Sequence, residues 1–165
     1  MEFSRIFSLP LRLRIFIIIK AMLKNHWWKI LAVLLLFYTL FMGFLGEVPA
    51  RVILNESIRN LYFHVPMWFG MVGLLIASAV YSVMQLSTKN AGSLKNDTYA
   101  SEFTNSALLF GFLGLLTGMI WAKFTWGDYW TNDPKLNGVA IGMLIYLAYI
   151  VLRKAIEDEE KKARV

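Results

Sequence analysis

Residues 103–122 read FTNSALLFGFLGLLTGMIWA, a run of 20 residues that contains no charged side chain. A helix that crosses the hydrocarbon core of a bilayer needs about 20 mostly apolar residues. Three other long stretches of the chain also lack Asp, Glu, Lys and Arg. The sequence therefore predicts an all-α, polytopic membrane protein with four transmembrane helices, which cover approximately residues 28–45, 65–84, 103–122 and 137–152.

The composition supports this class of protein and excludes some kinds of chemistry. Of the 165 residues, 58% are hydrophobic, which exceeds the usual share in a soluble domain. The absence of cysteine excludes disulfide bonds and thiolate metal sites. The net charge of +6 is better explained by contact with anionic lipid than by nucleic acid, which is not an expected partner.

The distribution of Lys and Arg predicts the orientation of the helices. Cytoplasmic segments of membrane proteins are enriched in these two residues. With the N-terminus inside, residues 1–29, 85–102 and 153–165 are cytoplasmic and hold 13 of the 17 basic residues. We therefore expect both termini in the cytoplasm (N-in, C-in), with His64 and residues 121–136 facing the outer compartment.

This orientation divides the chain into a basic cytoplasmic arm (residues 1–29), a four-helix transmembrane domain (30–152) and a charged cytoplasmic tail (153–165). Glu157 and Lys161 lie four residues apart in the tail, a spacing that favours a solvated helix. In the third span, three glycines, at positions 111, 114 and 118, form a stripe of small residues. A second helix is expected to pack closely against that stripe.

One histidine stands at the outer end of the second predicted span, in IRNLYFHVPMWFG (residues 58–70). Pro66 suits the first turn of a helix, so His64 is predicted to lie just before that helix begins. The positive end of the helix dipole disfavours a charged imidazole, and the neutral ring is the form that binds metals. A role for His64 as an interfacial hydrogen-bonding residue is the alternative.

The stretch WAKFTWGDYWTNDPKL, residues 121–136, is a predicted external loop that holds three of the six tryptophans. Four residues recur at spacings of three and four: Trp126, Tyr129, Trp130 and Asp133. This spacing predicts an interfacial helix with these residues on one face, ending at Pro134. Its aromatic face would be a flat apolar shelf. The alternative is an aromatic belt, in which the same side chains only anchor the protein at the lipid headgroups.

Four basic residues lie on the predicted outer side, against the general bias: Arg51, Arg59, Lys123 and Lys135. Four acidic residues lie there too, so local ion pairs explain these cations as well as a bound anion does. An aromatic shelf, a neutral imidazole and nearby cations together meet the needs of haem. Haem has a flat apolar macrocycle, an iron that accepts histidine and two anionic propionates.

Two blocks of the sequence resemble the haem-handling membrane proteins of cytochrome c biogenesis, most closely the haem exporter protein C (CcmC) family. YFHVP, residues 62–66, is similar to the family's block that opens a transmembrane helix. Residues 121–136 are similar to its tryptophan-rich (WWD) signature. The resemblance covers about residues 28–152, and both blocks lie on the same predicted side of the membrane.

The resemblance implies a set of site residues for haem b. His64 matches the external histidine that is an axial ligand of the haem iron. Arg59 and Lys135 fall where the family commonly keeps arginine, and they would meet the propionates. The positions that match the haem-contacting signature are Trp121, Trp126, Gly127, Trp130 and Asp133.

The sequence also departs from the family pattern. Tyr129 stands where tryptophan is usual, and Asn132 replaces the last tryptophan before the aspartate. The family continues into two further helices with a second external histidine, whereas no histidine follows His64 here. We therefore expect a chain that is truncated at its C-terminus, or haem held by one protein ligand, or binding that is not stable.

The resemblance further implies a haem-binding and haem-delivery protein, not an enzyme. Such a protein presents haem at the outer face of the bacterial inner membrane for c-type cytochrome maturation, with the tryptophan-rich loop in the periplasm. ABC-type transporter subunits and a periplasmic haem chaperone are the implied partners. The alternative is a permease-like or structural subunit of an ABC-type membrane complex, with no haem of its own.

Overall fold

The computed structural model describes residues 10–49, 51–87 and 94–165, and all regular secondary structure within those ranges is helical. Four helical segments there are long and apolar enough to cross a membrane: Lys24–Leu45, Asn55–Ser87, Lys95–Trp126 and Pro134–Ala155. The prediction of an all-α, multi-pass membrane protein is therefore confirmed. The chain separates into two units, Met1–Gly46 and Glu47–Val165.

The first unit is built around one helix, α1, which covers Leu11–Leu45. Pro10 occupies its N-cap position, and no Pro or Gly interrupts the following 32 residues, up to Gly43. At 1.5 Å per residue, α1 is roughly 50 Å long, whereas the hydrocarbon core of a bilayer is about 30 Å thick. From Leu11 onward the predicted basic arm is thus helical and continuous with the first span, and residues 1–9 lie outside the described residues.

The second unit contains the other elements. A short 3-10 helix at Asn55–Asn60 leads into α2 (Leu61–Ser87). The helices that follow are α3 (Lys95–Trp126), α4 (Pro134–Ala155) and the single-turn α5 (Glu159–Lys162). Each long helix extends beyond the span predicted for it, because an uncharged run marks the part that suits lipid and not the full hydrogen-bonded helix.

The packing of α2 against α3 supplies most of the tertiary contacts in this unit, and α4 packs more lightly against α3. A methyl group added at Gly111 would lie 2.8 Å from the sulfur of Met71. One added at Gly118 would lie 2.7 Å from the ring of His64. The predicted glycine stripe is therefore confirmed as a packing surface, which side chains of α2 cover together with Met143 of α4.

Few large apolar side chains are buried in this arrangement. The buried apolar residues are mostly small: Ala100, Ala107, Leu108 and Ala122. Large side chains such as Phe69, Ile76 and Leu144 instead point outward and are exposed. So extensive an apolar exterior would be unusual for a soluble monomer, and it suits a lipid environment.

At the other end of the unit from His64, a buried arginine contacts both α3 and the tail. Arg153, in the last turn of α4, is buried, and its guanidinium lies 2.8 Å from the carboxylate of Asp97. The same guanidinium donates to the carbonyl of Lys162, which folds the tail back. Within the tail, Glu159 and Lys162 form an ion pair in the short helix α5, of which residues 159–161 are exposed.

Candidate functional site

His64 is the fourth residue of α2, and the preceding 3-10 helix runs directly into that helix. The prediction that His64 lies before the helix was therefore wrong. Pro66 lies inside α2, not at its start. A proline so close to a helix N-terminus removes only one early backbone hydrogen bond, so it can be accommodated there.

The ring of His64 is half-buried between α2 and α3. Its Nε2 atom accepts a hydrogen bond from the indole N–H of Trp68 at 2.9 Å. Its Nδ1 atom lies 3.1 Å from the hydroxyl of Thr117. The indole of Trp121 approaches the ring edge-on, with centroids 5.7 Å apart and planes at 78°. An aromatic and hydroxyl shell therefore fixes the orientation of the imidazole.

The tryptophan-rich stretch does not form the interfacial helix that its spacing predicted. The last residue of α3 is Trp126, and Gly127 then adopts φ of 88°, a left-handed conformation that glycine accepts readily and that ends the helix. The next helix, α4, begins at Pro134. Only residues 127–133 connect the two helices, so Trp126 and Trp130 do not share a helix face.

Asp133 and Pro134 start α4; they do not end a helix. The Asp133 carboxylate accepts from the backbone N–H groups of Lys135 and Leu136, at 2.6 and 3.2 Å. This is an N-cap, and the missing N–H of Pro134 costs nothing at the first helical position. The indole of Trp130 donates to Asn137 at 3.1 Å, which fastens the connection to α4.

A pocket of about 600 Å³ lies where α2, α3 and α4 meet at this end of the unit. Its volume falls within the range of small-molecule and cofactor sites. Five of the eight residues that the sequence predicted as a site line it: His64, Trp121, Trp126, Asp133 and Lys135. The structure thus brings side chains from three helices around one mostly apolar space.

The other three predicted site residues do not line this pocket. Arg59 forms an ion pair with Glu56 at 2.7 Å, the local pairing that the sequence left open as an alternative. Gly127 and Trp130 belong to the connection that places α4. The sequence prediction missed Trp68 and Gly118, which line the pocket, and Thr117, which contacts His64.

A sequence model of the CcmC family, described as Heme exporter protein C, matches residues 13–165. The chain belongs to this family. Curated relatives with the name Heme exporter protein C include those of Bradyrhizobium diazoefficiens (32% identical over 67% of this chain and 41% of the relative) and Haemophilus influenzae (31% over 73% and 48%). The Escherichia coli K12 protein of the same name is 28% identical over 84% of this chain and 55% of its own length. The chain spans about half the length of the curated relatives it matches.

The residues around the pocket fit a haem group in four respects. The walls are mainly aromatic and apolar, and one imidazole reaches the space. Thr125 and Thr131 line it as well, and their hydroxyls are buried with no hydrogen-bond partner among the described residues. Buried hydroxyls without partners are costly, so a polar group of a ligand would stabilise them. Lys135 also lines the pocket, and its side chain forms no ion pair within the described part of the chain.

Gly118→Ala tests how closely α3 supports the imidazole. The added methyl group would lie 2.7 Å from Cε1 of His64, so the ring must move and lose hydrogen bonds. We expect the free energy of unfolding to fall by about 1–3 kcal/mol, as for an overpacked site. Thermal unfolding in detergent measures the change.

Gly142→Ala is the matched control for this prediction, because nothing lies within 4 Å of the methyl group it adds. This variant should be as stable as the parent protein or slightly more stable, since alanine favours a helix over glycine. Equal unfolding temperatures for the two variants would show that the imidazole is not held against α3.

Proposed function

We propose that this chain binds haem in the pocket beside His64 and presents it at the outer face of the membrane for c-type cytochrome maturation. The observation that carries the proposal is the convergence of His64, Trp121, Trp126 and Lys135 on one pocket of about 600 Å³. Membership of the CcmC family supports haem as the bound group. The role is binding and delivery, not catalysis of a reaction.

Each residue has a part in this proposal that follows from its position. His64 supplies a ring nitrogen as axial ligand of the iron of haem b. Trp121 and Trp126 provide apolar aromatic surface for the macrocycle, since Trp121 lies edge-on to His64 and Trp126 is exposed at the end of α3. Lys135, with the hydroxyls of Thr125 and Thr131, offers a cation and hydrogen bonds to the propionates.

The remaining predicted residues act on the shape of the site. Gly127 ends α3 and Asp133 caps α4, so together they set the short connection that brings Lys135 to the pocket. Trp130 holds that connection through Asn137. Arg59 is engaged by Glu56 at 2.7 Å, so we assign the main propionate contact to Lys135 instead.

The proposed location is the bacterial inner membrane, with both termini in the cytoplasm and the tryptophan-rich connection in the periplasm. Residues 85–102 and 153–165 contain more Lys and Arg than the segments at the pocket end of the second unit. Because such residues collect on the cytoplasmic side, this difference supports the orientation. We further propose that the chain works with ABC-type transporter subunits and delivers haem to a periplasmic haem chaperone. The relatives are named Heme exporter protein C, and that name supports haem export as the task they share.

Titration of the detergent-purified chain with hemin, followed by absorption spectroscopy, tests the proposal. A Soret band that saturates at one hemin per chain and shows nitrogen ligation of the iron is the expected result. Hemin that only partitions into empty micelles, with no saturation and no ligation signature, would contradict the proposal. That outcome favours a permease-like or structural subunit with no haem of its own.

A further inference from the structure

Both ring nitrogens of His64 are engaged by neighbouring side chains. The indole N–H of Trp68 donates to Nε2 at 2.9 Å, from one turn further along α2. Nδ1 lies 3.1 Å from Oγ1 of Thr117 on α3. The Thr117 hydroxyl in turn lies 2.8 Å from the carbonyl of Leu113 and 3.0 Å from that of Gly114.

The chemistry of these groups determines where the imidazole proton resides. An indole N–H can only donate, so Nε2 must be the unprotonated nitrogen of a neutral ring. The proton is then on Nδ1, which donates to the Thr117 oxygen. The Thr117 hydroxyl in turn donates its proton to a backbone carbonyl of α3. The result is one directional chain of hydrogen bonds from Trp68 through His64 and Thr117 to the backbone of α3.

We propose that Trp68 caps the iron-binding nitrogen of His64 and that Thr117 is a positioning residue that fixes the tautomer of the ring. The Nε2 atom has one lone pair, so it cannot accept from the indole and ligate iron at the same time. Nε2 could therefore serve as an iron ligand only after the indole N–H of Trp68 had released it. This inference rests on the proposed function, because it concerns the same imidazole.

The packing around Trp68 supports a defined position for the cap. A methyl group added at Gly114 would lie 3.2 Å from two carbons of the indole, so the ring rests on the bare backbone of α3. Trp68 and His64 both line the pocket, and their rings meet edge-on with centroids 5.6 Å apart. An intramolecular competitor of this kind weakens ligation, and weak ligation suits a protein that must pass its haem on.

The haem-free protein provides the first test. Long-range nitrogen–proton NMR of the ring of His64 in detergent should show the tautomer with the proton on Nδ1. Thr117→Val removes the acceptor of that proton at almost constant volume and should shift the ring resonances, while Thr117→Ser should restore them. A ring that carries its proton on Nε2 in the parent protein would overturn the inference, since Trp68 could not then donate to that nitrogen.

Hemin affinity provides the second test, through Trp68→Phe, which keeps an aromatic ring and removes the N–H donor. Loss of one competing hydrogen bond of ordinary strength should lower the Kd for hemin about fivefold. Trp27→Phe, at an exposed position on α1, is the matched control and should leave the Kd unchanged. Thr117→Val should raise the Kd about tenfold, as expected when the partner of a ligand histidine is lost.

Comparison with His64→Ala separates failure of this inference from failure of the proposed function. If His64→Ala loses hemin but Trp68→Phe binds no more tightly than the parent chain, His64 is the ligand and Trp68 is not its cap. If His64→Ala binds hemin as the parent chain does, the proposed function fails, and the capping role fails with it.

Discussion

His64→Ala is expected to raise the Kd for hemin by about 100-fold or more and to abolish the spectrum of histidine-ligated haem. Loss of a residue that only supports a metal ligand already lowers metal affinity about 10- to 100-fold, so loss of the proposed ligand itself should cost at least the upper value. The aromatic side chains that line the pocket remain in this variant and should retain only weak, nonspecific hemin. Hemin titration with absorption spectroscopy measures both effects.

His26→Ala is the matched control, because His26 is the only other histidine in the chain and is exposed on α1. It should bind hemin with the affinity and spectrum of the parent protein. Added imidazole should restore a nitrogen-ligated spectrum to His64→Ala, since the space left by the missing side chain is the size of an imidazole ring. If both histidine variants lose affinity equally, the ligand has been assigned to the wrong residue.

The number of membrane helices could be predicted from the sequence because charge-free runs are a direct consequence of the cost of charge in lipid. Their ends could not be predicted in that way. The third predicted span ended at residue 122, whereas α3 continues to Trp126 and stops where Gly127 turns left-handed. That glycine and the Asp133–Pro134 pair are ordinary stop and start signals, and they outweigh the spacing of three and four that predicted a separate helix.

The candidate site was predictable in its main members and not in its hydrogen bonds. His64 and Trp121 could be assigned to one site because the predicted orientation places both on the outer side of the membrane. The pairing of His64 with Thr117 depends on how α2 is rotated against α3, which a single sequence does not show. A local signal for Trp68 was present, since it follows His64 by four residues, the spacing of neighbours on a helix. Arg59 and Glu56 are three apart, and that spacing likewise indicated the observed ion pair.

The second large effect is expected at the opposite end of α3, where Asp97→Asn should lower the free energy of unfolding by about 3–5 kcal/mol. The Asp97 carboxylate and the Arg153 guanidinium lie 2.8 Å apart, with side chains only 12% and 10% exposed. Removal of one partner leaves the other charge buried without compensation, which is the costly way to break such a pair. Unfolding in mixed micelles of sodium dodecyl sulfate, followed by circular dichroism, measures the loss.

Glu159→Gln is the control that separates the effect of burial from the loss of an ion pair, because Glu159 pairs with Lys162 at the surface. The Glu159 side chain is 59% exposed, so its loss should cost at most about 1 kcal/mol. A charge swap, Asp97→Arg with Arg153→Asp, should recover part of the stability that Asp97→Asn loses, since it restores an opposite-charge pair. Equal stability of Asp97→Asn and Glu159→Gln would mean that water reaches Arg153. In that case the pair does not fasten α4 and the tail to the first turn of α3.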